Sequence, residues 1–247
     1  MLAAFESIPR ADRVIVALDC PRAKALDLAV ALQGKAKWLK IGMTLYYSEG
    51  PAIVEIFKLL GYKVFLDLKC HDIPHQVAGA AASAVEAGAD MITMHAVGGV
   101  PMMEAAQAAV DNTGCDTATL AITVLTSMDA ATLAATGVTR ELTDQVKTLA
   151  SCAAEAGLSG VVASPQEAAM LRELLGPDAL IVTPGVRPAG RRFGRPEPCC
   201  DPEGRIRCGR FPYRDRPPHY PGCRPRRSVR SHRCRALSFR LPVHFAI

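Results

Sequence analysis

Short runs of apolar residues recur from Arg13 to Thr183, each followed by a stretch with helical spacing. The runs Val14–Leu18, Trp38–Ile41, Val64–Leu66, Met91–Met94, Leu120–Val124, Gly160–Val162 and Leu180–Val182 are largely continuous rather than alternating. Strands buried on both faces read this way. Between them, alanine-rich or amphipathic segments near 23–32, 52–60, 76–87, 102–110, 144–156 and 166–175 predict helices. Regular alternation of the two argues a parallel sheet covered on its outside.

Seven such units in fewer than 190 residues suit an α/β chain of the (β/α)8 TIM-barrel class, with the eighth strand and closing helix missing, better than a doubly wound sheet. The polar residues decide the preference. Asp19, Lys40, Asp67, Lys69, His95, Thr126, Ser127 and Arg187 all fall at or just beyond the C-terminal ends of predicted strands. A barrel gathers those ends onto one face, where its active sites lie, whereas a flat sheet would scatter them along an edge.

Charge divides the chain in two. The overall balance of +5 averages residues 1–190, with 14 Lys+Arg against 20 Asp+Glu, and residues 191–247, with 15 Arg, no Lys and 4 acids. The second segment also holds five of the nine cysteines and nine of the eighteen prolines. We therefore read 1–190 as one incomplete barrel domain and 191–247 as a separate tail. No apolar run approaches the roughly 20 residues that span a bilayer, and the first twelve residues lack the regions of a signal peptide. Cys20, Cys70, Cys115 and Cys152 show no paired spacing, which fits reduced thiols and a cytoplasmic location.

The densest chemistry lies in Asp67-Leu68-Lys69-Cys70-His71-Asp72-Ile73-Pro74, directly after an apolar run. Alternation along a strand points Asp67 and Lys69 to the same side. Ions on the inward face of a buried strand need compensation. The plainer reading makes this a solvated strand end, with Asp72 capping a helix that Pro74 opens. With Lys40, the stretch supplies alternating signs at close range. At about 4 Å and an effective dielectric near 20, each neighbouring pair is worth roughly 4 kcal/mol. An anionic group pressed against Asp67 would feel repulsion of that order, and a lysine beside it could protonate carbon once the anion left. Such an array can make and quench a carbanion without metal or organic cofactor. His71 and His95 read as structural histidines.

This stretch resembles the signature of the orotidine 5'-phosphate decarboxylase family. Five other segments match it in order: Val14 to Asp19, Leu39-Lys40-Ile41-Gly42, Met94-His95-Ala96 with Gly98-Gly99, Val124-Leu125-Thr126-Ser127-Met128, and Thr183-Pro184-Gly185-Val186-Arg187-Pro188. The resemblance covers about residues 12–190. It implies decarboxylation of orotidine 5'-monophosphate to UMP in pyrimidine biosynthesis, in a homodimer with no cofactor, metal, membrane or nucleic-acid partner. By it, Lys69 protonates C6, Asp67 flanks the departing carboxylate, and Asp72 completes the array from the partner subunit. Asp19 and Lys40 hold the ribose, Thr126 and Ser127 contact the pyrimidine, and Arg187 meets the phosphate. The family usually continues from Ile-Pro into Asn-Thr, and here His75-Gln76 stands instead, so an amide from Gln76 would replace the threonine contact. The nearest alternatives are a Mg-dependent sugar-phosphate lyase of the same superfamily and an inactive barrel with a basic tail.

After Gly190 the resemblance stops. Cys199-Cys200, Cys208, Cys223 and Cys234 lack the paired spacing of a zinc site. Arginine without lysine is an odd way to build a nucleic-acid arm. Read from each second nucleotide, however, degenerate codons for Arg192–Glu197 can spell Asp-Leu-Gly-Asp-Gln. Those for Arg214–Pro221 can spell Val-Ile-Gly-Arg-Pro-Ile-Thr. These are family motifs, in order and in one frame, so the tail reads as a frameshift product.

Overall fold

The computed structural model describes residues 9–185. Seven parallel strands form one sheet in chain order: β1 (Ile15–Ala17), β2 (Trp38–Gly42), β3 (Lys63–Cys70), β4 (Met91–His95), β5 (Ala118–Ile122), β6 (Gly160–Val162) and β7 (Leu180–Val182). The connections carry α1 (Arg22–Leu32), α2 (Met43–Glu49), α3 (Ala52–Leu59), α4 (Pro74–Glu86), α5 (Val100–Asp111), α6 (Ala130–Ala135), α7 (Leu142–Glu155) and α8 (Ala168–Leu175). Among the described residues these are the seven β/α units expected, and the place of the expected missing eighth strand and closing helix lies outside them. All seven strands and six of the helices were legible in the sequence, while α2 and α6 were not. No helix among the described residues is long and apolar enough to cross a membrane.

Side-chain alternation sorts the strands into two cores. Val16, Leu39, Ile41, Val64, Leu66, Ile92, Met94, Ala121, Val161 and Ile181 face the helices in one large cluster. Their neighbours Ile15, Phe65, Met91, Ala118, Leu120 and Val182 form a second cluster, packed with Trp38, Val162 and Leu180. That second cluster joins side chains of the first strand to those of the last, so the sheet curls around it. Each large apolar side chain so buried contributes about 1.5–3 kcal/mol.

Two glycines fix close approaches. A Cβ on Gly160 would overlap the Leu180 carbonyl oxygen, so β6 can lie against β7 only with glycine there. A Cβ on Gly42, at the end of β2, would stand 3.1 Å from Asp19 Oδ1 and 3.4 Å from Lys40 Nζ.

The one irregular ladder is between β3 and β4. Leu66 pairs with Ile92 and Cys70 with Met94, so four steps along β3 match two along β4. Within that bulge Lys69 takes φ 55°, and no other non-glycine residue among those described has positive φ. The strand thus runs through Cys70 instead of ending near Leu66, and its charged residues belong to the sheet itself.

Candidate active site

Inward alternation continues up each strand from the apolar cluster into a charged layer. Above Trp38 on β2 stands Lys40; above Phe65 on β3 stands Asp67; above Met91 on β4 stands Thr93. Lys40 Nζ lies 3.2 Å from Asp19 Oδ1, just past β1, and 3.4 Å from Asp67 Oδ2. Lys69 Nζ reaches the same Asp67 oxygen at 2.7 Å. The other oxygen, Oδ1, accepts a hydrogen bond from the Thr93 hydroxyl at 2.9 Å. Asp67 is thus fully engaged, and it is only 8% exposed.

Burial by itself would raise the Asp67 carboxyl above its ordinary value. Lys40 and Lys69, with hydrogen bonds from Lys69 and Thr93, outweigh that penalty and hold it below. The carboxylate is therefore a fixed negative charge near neutral pH. Its lysine partners, with side chains 19% and 27% exposed, both line the cleft.

That cleft, of about 230 Å³, opens at the C-terminal strand ends. Asp19, Lys40, Asp67, Lys69 and Thr126 line one part of it, above an apolar floor that includes Ile15, Phe65, Val162 and Val182. Pro184 and Gly185 border it beyond β7. The arrangement sets an alternating Asp–Lys–Asp–Lys chain against an apolar recess. A flat, partly polar ring could enter there with an anionic substituent against Asp67.

Other expected site residues stand apart. Asp72 is exposed, and its Oδ1 accepts the Ile73 backbone N–H at 2.7 Å instead of facing Lys69. Gln76 lies exposed on the first turn of α4, and Ser127 is exposed outside the cleft lining. Arg187 lies outside the described residues, as does the tail read as a frameshift product. Thr93 was not singled out from the sequence, because one threonine within an apolar β-run reads as an ordinary strand former. Its signal would have been the strand-matched position beside the Asp-x-Lys pair.

His71 and His95 lie side by side, with ring centroids 5.7 Å apart, and line a separate cavity with Val97, Thr123 and Leu149. Burial, reinforced by the charges of His71 and Lys69 and opposed by Asp67, moves His95 below its ordinary value of 6.5. Among the described residues, no group of three His, Cys, Asp or Glu side chains is arranged to hold a metal ion.

A curled parallel sheet with lysines and carboxylates gathered at its C-terminal strand ends defines a β/α-barrel enzyme. The model of the orotidine 5'-phosphate decarboxylase / HUMPS family matches residues 12–195, and the chain belongs to that family. Among curated relatives, an orotidine 5'-phosphate decarboxylase of Halorhodospira halophila is 44% identical over 204 residues, covering 82% of this chain and 86% of that one. Another, from Alkalilimnicola ehrlichii, is 48% identical over 178 residues, covering 72% and 76%. Among solved structures, the orotidine 5'-phosphate decarboxylase of Lactobacillus acidophilus superposes with a TM-score of 0.67 at 35% identity, covering 72% of this chain and 83% of that one. An uncharacterized conserved protein of Geobacillus kaustophilus gives 0.65 at 41% identity, covering 68% and 80%.

Proposed function

We propose that this site decarboxylates orotidine 5'-monophosphate to UMP and CO2, as a carbon–carbon lyase that uses no cofactor. The observation that carries the reading is the shared Asp67 oxygen, with Lys69 at 2.7 Å and Lys40 at 3.4 Å. The substrate carboxylate would lie against the fixed charge of Asp67, where like charges repel. As the C6–carboxylate bond breaks, its electron pair stays on C6 and CO2 departs. Lys69 Nζ then gives a proton to C6, forming the C–H bond and leaving a neutral amine that solvent reprotonates. A positioned acid of this kind contributes about 10²–10⁴-fold, and the preorganised lysine charges stabilise the developing carbanion.

Asp19 and Lys40 would hold the ribose hydroxyls, with Thr126 and Ser127 at the pyrimidine and Arg187 at the phosphate, where a guanidinium pairs well. Asp72 and Gln76 are both exposed, and Asp72 accepts from the Ile73 N–H, which suits residues that serve a neighbouring site in a cytoplasmic homodimer. Residues 191–247 are read as a frameshift product that replaces the segment completing the phosphate grip and the barrel. The chain as written would then turn over slowly.

The test measures loss of orotidine 5'-monophosphate absorbance with EDTA present, for the full chain and for a version with the second reading frame restored after Gly190. Activity in the restored version that survives EDTA and vanishes with Lys69→Ala supports the reading. An inactive restored version, or one that requires Mg²⁺, overturns it. Equal turnover by the two versions, with the mass of residues 191–247 confirmed, overturns the frameshift reading instead.

A further inference from the structure

The bulge in β3 leaves an unusual accounting of backbone hydrogen bonds at the centre of the site. Backbone alternation along β3, in which the Lys63 N–H donates to the Lys37 carbonyl at the start of β2, would turn the Lys69 N–H toward β2 as well. Here β3 carries two extra residues between its pairings with Ile92 and Met94, and the ladder is interrupted. The Lys69 N–H donates instead to the Thr93 side-chain oxygen at 3.0 Å. That same hydroxyl donates its own proton to Asp67 Oδ1 at 2.9 Å. Thr93 is 1% exposed, so water has no access to stand in for it. A hydroxyl has one proton to give and lone pairs to accept with, and both capacities are used here in opposite directions.

We infer that Thr93 is a positioning residue for the lysine–aspartate pair, its hydroxyl accepting the Lys69 N–H that the bulge turns toward β4 while locking the Asp67 carboxylate. The inference rests on the proposed decarboxylase reading and deepens it. Lys69 occupies a left-handed conformation that L-residues avoid, and such conformations persist only where the surroundings over-determine them. Thr93 supplies one such determinant from the neighbouring strand. As a β-branched residue it has few χ1 choices, so its oxygen sits in a defined place. One atom therefore sets both the rotation of the Asp67 carboxylate and the point from which the Lys69 side chain starts. Loss of that atom would free both partners of the pair whose separation decides proton delivery.

Two substitutions separate the hydroxyl from the shape. Thr93→Val keeps the branched outline and removes the oxygen; Thr93→Ser keeps the oxygen and removes a methyl. In steady-state assays, Thr93→Val is expected to lower kcat roughly 10- to 100-fold, the range for an unmade buried hydrogen bond, with a much smaller change in KM. Thr93→Ser is expected to restore kcat to within about threefold of the parent. A second readout does not depend on turnover: carbon-detected NMR titration of the Asp67 carboxyl in the full chain. Its midpoint is expected to rise in Thr93→Val and stay in place in Thr93→Ser. Equal impairment of the two variants, or an unmoved Asp67 midpoint in Thr93→Val, overturns the positioning role. If the version with the second reading frame restored after Gly190 shows no decarboxylation yet the midpoint moves as expected, the reaction assignment falls and the positioning role stands.

Discussion

Lys69 and Asp67 are two residues apart on one strand, yet their charged atoms meet at 2.7 Å across a bulge. Regular alternation puts such a pair on one face but roughly 6–7 Å apart along the strand. The bulge and the positive φ of Lys69 break the regular pleat between them, and the long Lys69 side chain closes the remaining gap. Proximity of this kind is what the proposed proton transfer requires.

Replacing the donor tests that directly. Lys69→Met keeps most of the side-chain volume and removes the proton, and we expect kcat for orotidine 5'-monophosphate to fall by about 10²–10⁴-fold or more. Fluorescence titration with UMP should still detect binding, because the ribose and base contacts are elsewhere. Retained turnover in Lys69→Met would exclude it as the proton donor.

Asp67 also gives the fold an acid-sensitive component. Folding lowers its carboxyl below the ordinary 3.8, so its stabilisation is complete above that value. The contribution is lost as pH falls through the lower folded value. Urea midpoints of the parent and Asp67→Asn should therefore differ most near neutral pH and converge on acidification below 3.8. A gap independent of pH would mean that the lysines do not hold this carboxylate.

His95 acts in a different window. Burial, His71 and Lys69 place its folded value below 6.5, so the unfolded chain takes up the proton first as pH drops. Stability should decline on acidification from 6.5 down to that lower value, and His95→Asn should decline less over the same range. Identical slopes for the two proteins would show that the ring titrates normally.

The strand path at Gly160 predicts a large effect from one methyl group. Gly160→Ala must push β6 away from the Leu180 backbone, since no flexible side chain is there to yield. We expect destabilisation of at least about 1–3 kcal/mol, as for overpacked cores, read from thermal or urea unfolding. Gly42→Ala meets only the mobile ends of Asp19 and Lys40 and should unfold much like the parent. An unfolding midpoint for Gly160→Ala equal to that of Gly42→Ala would contradict the close β6–β7 approach.

The sheet was legible in the sequence because its strands are continuous apolar runs, and Lys40, Asp67 and Lys69 were legible because ions at such places need a reason. Departures arise where tertiary contacts override local pattern. α2 follows Gly42 with no side-chain cap, and its Tyr46 and Tyr47 do not advertise a helix. α6 did carry a signal, for Asp129 accepts from the Thr132 N–H at 2.8 Å as an N-cap, but its six residues give too short a period to read. Asp72, expected to complete the array from a partner subunit, is exposed at the turn into α4 and accepts the Ile73 backbone N–H. The bulge was not legible either, since it exists only against β4.

Strand length gives the molecule a direction of opening. β3 has eight residues, with β2 and β4 on either side at five each, whereas β1, β6 and β7 have three. Amide protons of the three-residue strands β1, β6 and β7 should exchange with solvent well before those of β2, β3 and β4, because local opening begins where the fewest contacts hold the chain. Partial unfolding thus reaches Lys40, Asp67, Thr93 and Lys69 last. The reacting groups are carried by the strands that are slowest to melt.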